Sequence, residues 1–307
     1  MMAFDAITKD ILNSLHIKDP VLLGEGSESR VYSYTAERVV RIGKSAMTVE
    51  SLQELGGIYA FLSSHALPFA MPGEYEIRQR EGVVFLIEKK LVGMPIASVY
   101  EQLDERQRQR LLHSFFEAAD SFKAITLDTR DYGQLLQDVE DIAHYDNWPQ
   151  FIKAKAPLKL PYTRAVLQAD GVDVDYVLEK FAQDVEMVEP YPTKNFVHGD
   201  YFFGNVLVND NLEISAVLDV SGWSAVGDHR MDIAGAVMFL DLYDFVSPQD
   251  RTYITELAVR TYGDDILSYI RLYRVYYSLL LSDCKHLDPP AYYWSLRNLR
   301  SYMLSGL

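Results

Sequence analysis

One cysteine, Cys284, is all the thiol this chain of 307 residues carries. An internal disulfide is therefore excluded, and a reducing cytoplasm is the expected setting. Long apolar runs are missing as well. No stretch approaches the roughly 18 uninterrupted apolar residues that a membrane-spanning helix needs, and residues 1–9 hold no apolar core of signal-peptide length. Positive charge is scarce: 29 lysines and arginines against 44 aspartates and glutamates leave a formal net charge of -15. Such a surface repels nucleic-acid phosphates and anionic lipid, so neither nucleic acid nor membrane is an expected partner. It keeps the protein in solution and concentrates cationic small molecules. Internal repeats and low-complexity tracts are absent too.

What is present is ordinary globular material. The chain is 49% hydrophobic, 12% aromatic and 24% charged, which rules out disorder as the default. Its hydrophobic periodicity divides it in two. Residues 4–17 repeat apolar side chains at helical spacing. Three short strands follow around 21–23, 31–34 and 39–42, with a glycine turn at 24–29. A helix at 48–64 and a hairpin at 75–88, turning at Glu81-Gly82, complete a sheet-rich segment. After Gly93 and Pro95 the pattern is mainly helical, at 104–125, 135–145, 174–188, 231–245, 248–262, 266–284 and 292–304. A proline-marked basic loop is expected at 153–161, and short strands at 195–197, 206–208 and 214–218. The expected fold class is α+β in two lobes: a small sheet-rich lobe, residues 1–91, and a larger, mainly helical one, residues 92–307. A monomer or weak homodimer is expected.

The stretch with chemistry in it is Phe196-Val197-His198-Gly199-Asp200-Tyr201-Phe202-Phe203-Gly204-Asn205-Val206-Leu207-Val208. Asp200 leaves an apolar strand, Asn205 opens the next one, and Asp219 ends the strand after that. Paired strands would hold all three at one end of a small ribbon. Two carboxylates and an amide oxygen suit Mg2+, a hard cation that fills its shell from phosphate and water. A carboxylate left free of metal can orient and deprotonate a hydroxyl.

This His-x-Asp-x4-Asn run, followed by a strand and Asp219, resembles the catalytic and metal loops of the aminoglycoside phosphotransferase and choline kinase group, relatives of protein kinases. Gly227-Asp228-His229-Arg230-Met231-Asp232-Ile233-Ala234 is similar to a second signature of that group. Residues 25–34, with Val40-Arg41, resemble the opening of hygromycin B phosphotransferases in particular. The resemblance implies a two-lobed protein-kinase-like fold. It also implies transfer of a γ-phosphoryl group, from ATP or GTP with Mg2+, to a hydroxyl of a small molecule, with a cationic hygromycin-like aminoglycoside as leading acceptor. A macrolide, choline or a sugar is the alternative acceptor, and a nucleotide-holding pseudokinase the alternative class.

By resemblance, Asp200 is the catalytic carboxylate, and Asn205 and Asp219 hold Mg2+. Arg41 stands where most kinases place a strand lysine on the triphosphate, with Glu54 as its partner and Glu50 as competitor. The turn containing Ser27 would cover the phosphates, and backbone between Glu88 and Leu91 would meet the base. His198 reads as a scaffold for its loop. Asp228 and Asp232 read as caps and anchors of the helix that begins there. The acceptor is expected among the acidic, tyrosine-rich helices of the last hundred residues, with Asp283 and Asp288 as candidates; the same pattern also describes plain helix packing.

Overall fold

The computed structural model describes residues 2–25, 29–44, 48–73, 75–128, 130–136, 145–187 and 191–304. Helix α1 (Met2–Ser14) precedes strands β1 (Leu22–Glu25), β2 (Ser29–Ser33) and β3 (Arg38–Gly43). Helix α2 (Val49–Ser63) and strands β4 (Tyr75–Arg80) and β5 (Val83–Lys89) complete the small lobe. Its five strands form an antiparallel sheet in the order β1-β2-β3-β5-β4. The alternation of the strands explains how both faces are used. Val40, Ile42, Phe85 and Ile87 point outward and are covered by Ile11 and Leu12 of α1 and by Leu15 just after it. Val84 and Leu86 point inward and meet Leu52 of α2. Thr48 and Ser51 close a reciprocal capping box at the start of α2, a device worth about 1 kcal/mol.

The crossing between lobes is tight. Gly93 has φ +147°, and a Cβ there would lie 2.3 Å from Ser215 Oγ. Ser215 Oγ in turn donates to the Val92 carbonyl at 2.7 Å. A second tie is Ala70, in the segment between α2 and β4, which exchanges backbone hydrogen bonds with Ser215 and Val217 at 2.9 Å each.

The larger lobe begins with β6 (Met94–Pro95), α3 (Ile96–Val99) and α4 (Glu105–Ser121), whose N-cap Asp104 and Gln107 form another capping box. Then come β7 (Gly133–Gln134), α5 (Trp148–Lys155), α6 (Leu160–Ala169) and α7 (Val174–Met187). Strands β8 (Asn195–Val197), β9 (Val206–Val208), β10 (Ile214–Val217) and β11 (Ala225–Gly227) lead to helices α8 (Arg230–Met238), α9 (Pro248–Tyr262), α10 (Ile266–Leu280) and α11 (Pro289–Leu304). Every residue of α8 from Met231 to Met238 is buried, so it is the central rod against which α4, α9 and α10 pack. Phe115, Phe122, Phe196, Tyr201 and Phe203 join α4 to the strands by ring contacts, with Phe115 stacked on Tyr201 at 4.7 Å.

Two expectations are corrected. The basic segment 153–161 is not one loop: Lys153 and Lys155 end α5, and Leu160-Pro161 open α6. Proline costs nothing in a first helical turn, where its missing N–H has no intrahelical partner. Of the helix expected at 135–145, Leu135, Leu136 and Tyr145 are not helical, and residues 137–144 lie outside the described residues.

Candidate active site

Strands β9 and β10 pair antiparallel with Val206 opposite Val217. Asn205 and Leu218 are therefore the next pair, and the Leu218 N–H donates to the Asn205 carbonyl at 2.8 Å. That register places Asp219, one residue further, at the same end of the ribbon as Asn205. Asp219 sits at φ +63°, a left-handed conformation that Asp tolerates better than most side chains. Asp200 arrives from the end of β8. The Asn205 side-chain Nδ2 donates to Asp200 Oδ2 at 2.8 Å and to the Asp200 carbonyl at 2.9 Å. The structure thus brings Asp200, Asn205 and Asp219 together.

The loop carrying Asp200 is held group by group. Asp232 in α8 accepts the His198 N–H through Oδ2 and the Gly199 N–H through Oδ1, both at 2.8 Å. Ser224 Oγ donates to the His198 carbonyl at 2.8 Å, and Tyr277 of α10 donates its hydroxyl to the Gly199 carbonyl. The His198 ring spans the two acidic loops. Its Nε2–H donates to the Leu218 carbonyl at 2.7 Å, and its Nδ1 accepts the Asp200 N–H at 3.3 Å. Both roles need a neutral imidazole, and complete burial holds the His198 pKa below its ordinary value. Through these two bonds His198 ties the Asp200 loop to Leu218. Gly199 cannot be replaced without strain: at φ +76° a Cβ would lie 2.1 Å from the Trp223 carbonyl oxygen.

Burial pushes the Asp232 carboxyl up to about 7, against the two backbone donors that favour its charge. The sequence suggested a helix anchor here, and Asp232 instead anchors the loop before β9. Asp228 does serve the helix start, accepting the Arg230 N–H at 3.0 Å and its guanidinium as well. Each buried N–H left without an acceptor costs about 1–3 kcal/mol. Asp232→Ala should therefore lower the unfolding free energy by roughly 2–5 kcal/mol in denaturant titrations. A loss under ~1 kcal/mol would mean that the two donors find other acceptors.

On the opposite wall, Arg41 of β3 projects from the inner face of the small-lobe sheet. Its Nε donates to Glu88 Oε1 at 2.9 Å and its Nη1 to Ser29 Oγ at 3.4 Å. The carboxylate that meets Arg41 is therefore Glu88, on the same sheet, where the resemblance implied Glu54. The reason is register: Arg41 lies opposite Leu86 on β5, so Glu88 is its diagonal neighbour on the same face. Glu54 is half-buried on α2 and Glu50 is exposed. Burial works against the Arg41 charge, yet Glu88, Tyr59 and Asp219 nearby raise its pKa. Arg41 and Asp219 are thus near enough for their charges to interact. Tyr59 of α2 is buried nearby, close enough for the Arg41 and Asp219 charges to act on it.

Leu91 lines a cavity of about 960 Å³ together with the 36–38 turn and residues 89–93. Ser27 lies outside the described residues. Asp283 is paired with Lys159 at 2.9 Å on the surface. Asp288 caps α11, accepting the Ala291 N–H at 3.2 Å. Asp288 and Asp200 both act on Tyr243, whose pKa is raised chiefly by burial, opposed by the Gly204 backbone and raised further by these two charges. Of the two acceptor candidates, Asp288 is thus the one whose charge shares a neighbour with Asp200. Sequence reasoning missed Tyr277, Ser224 and the side chain of Glu88. Their partners lie 78, 26 and 47 residues away, so no local pattern marks them.

The residues fit Mg2+ by their donor chemistry. With its Nδ2 turned to Asp200, Asn205 keeps Oδ1 for a ligand, and Asp219 adds a carboxylate beside it.

The model of the phosphotransferase enzyme family matches residues 20–268. Among solved structures, ADP-bound aminoglycoside phosphotransferase APH(2'')-Ib superposes with a TM-score of 0.64 at 16% identity, over 96% of each chain. The gentamicin complex of APH(2'')-IIa gives 0.65 at 17%, over 96% of this chain and 95% of that one. Macrolide 2'-phosphotransferase type I gives 0.54 at 16%, over 96% and 97%. No curated protein sequence matches the chain. At these identities the structures speak for the fold, a two-lobed kinase-like one, while the sequence match spans most of the chain: it belongs to the phosphotransferase enzyme family.

Proposed function

We propose that this protein transfers the γ-phosphoryl group of a Mg2+-bound nucleoside triphosphate to a hydroxyl of a cationic, aminoglycoside-type acceptor, with a hygromycin-like compound first among candidates. The observation that carries this reading is the meeting of Asp200, Asn205 and Asp219 at one end of the ribbon, with Arg41 near enough to interact with the Asp219 charge. Asn205 and Asp219 would hold Mg2+, which supplies neutralisation of phosphate charge. Arg41 orients the triphosphate, and a fork is the right shape for phosphate oxygens. Asp200, fixed by Asn205 and by the loop bonds above, orients the acceptor hydroxyl and takes its proton. Catalysis of this kind is positioning and charge stabilisation more than covalent chemistry.

Relatives of the same fold support the substrate classes without fixing them. They were solved with ADP, with streptomycin and ATP, and with GDP and kanamycin. An acidic chain, with Asp288 exposed at the start of α11, favours a cationic acceptor over the macrolide reading that the macrolide enzyme's likeness keeps open.

The test is acceptor-dependent nucleotide turnover across aminoglycosides, macrolides, choline and sugars, followed by a salt series on the compound that reacts. Exposed charges are screened over ~8 Å at physiological ionic strength. Acceptor KM should therefore rise with salt, while nucleotide KM, set by close contacts, changes less. Asp288→Asn should raise acceptor KM more than it lowers kcat, as lost uniform binding does. Salt-insensitive acceptor kinetics would exclude a polycation and leave the phosphotransferase standing.

A further inference from the structure

We propose that Glu88, near the end of β5 on the inner face of the sheet, is the positioning residue for Arg41, and that neither glutamate of α2 has that role. This rests on the phosphotransferase reading of Arg41 given above. Three neighbouring strands supply the geometry. Arg41 on β3 lies opposite Val31 on β2 and Leu86 on β5. Two positions along, on the same face, Ser29 stands on one side and Glu88 on the other. Each is a diagonal neighbour within reach of a long side chain. The guanidinium is therefore held from both flanks, by Glu88 Oε1 at 2.9 Å and Ser29 Oγ at 3.4 Å. The Glu88 side chain is 8% exposed, so water screens this pair little.

The arrangement changes what each element does. An arginine held by a helix carboxylate moves when the helix moves. An arginine held by β5 moves with the sheet. Glu88 also directly precedes residues 89–93, the crossing to the larger lobe that Gly93 packs against Ser215. The anchor of the phosphate-binding arginine thus belongs to the same strand whose end would meet the base. Helix α2 contributes a neutral group instead: the buried Tyr59, close enough for the Arg41 and Asp219 charges to act on it. In this chain β5, through Glu88, sets the arginine.

The test compares Glu88→Gln, Glu54→Gln and Arg41→Ala, each alone, and Glu88→Gln combined with Arg41→Ala. Glutamine keeps the shape of Glu88 and removes its charge. Removing a partner that orients a ligand-holding group costs about 10-fold. Nucleotide KM should rise by about that factor in Glu88→Gln, with acceptor KM unchanged, and by clearly less in Glu54→Gln. Added to Arg41→Ala, Glu88→Gln should have little further effect, because the residue it positions is gone. A Glu54→Gln effect equal to or larger than that of Glu88→Gln overturns the proposal. So does a Glu88→Gln effect that persists in full on top of Arg41→Ala, since it would then act through general packing. If Arg41→Ala itself leaves nucleotide KM unchanged, the phosphate role of Arg41 fails and the proposal falls with it.

Discussion

Asp200→Asn should lose turnover by ~10²–10⁴-fold, the share a positioned acid–base group supplies, while nucleotide affinity stays within a few-fold of the parent. The structure explains both halves. Asparagine has the size of aspartate, and the Asn205 amide can still donate to its side-chain oxygen, as it does to Asp200 Oδ2 at 2.8 Å. The loop itself is fixed by bonds that do not involve the Asp200 carboxylate: Asp232 to two N–H groups, Ser224 and Tyr277 to two carbonyls, and His198 to Leu218. The change therefore removes a base from an intact site. Single-turnover kinetics with saturating nucleotide, alongside a nucleotide titration, separate the two effects. Turnover within a few-fold of the parent would end the assignment of Asp200.

The elements that were readable from sequence are those whose signals are local. The hairpin at 75–88 announced itself by Glu81-Gly82, and both residues have positive φ, +48° and +79°. The helix starts expected at 104 and 248 fall at capped ends, where Asp104 accepts the Gln107 N–H and Ser247 the Asp250 N–H. The ribbon at the site was readable too, because one register fixes where Asn205 and Asp219 stand. Strands β7 and β11 have two and three residues, too short for any period to show. The partner of Arg41 was not readable, because it depends on which residues face each other across two strand pairs. The same holds for Asp232. A carboxylate three residues into a helix looks like a helix anchor, and only the packing of α8 under the His198 loop turns it toward backbone donors 33 and 34 residues back.

Asp219→Ala should remove the dependence of nucleotide affinity on Mg2+ and lower turnover by a further ~10²–10³-fold scale, typical for loss of one charge-stabilising group. Asp219 follows β10 at the same end of the ribbon as Asn205 and is near enough for its charge to act on Arg41, so its carboxylate is the charge best placed to join metal to phosphate. Alanine also fits the local backbone poorly: at φ +63° it lacks the short polar side chain that lets aspartate and asparagine sit there. Asp219→Asn separates these causes, because it keeps the left-handed conformation and an oxygen donor but removes the charge. If charge is what matters, Asn should resemble Ala in a Mg2+ titration of nucleotide binding, while its thermal stability stays near the parent. If only Ala is impaired, the defect lies in the backbone. A Mg2+ dependence that survives both substitutions would move the metal site away from this ribbon altogether.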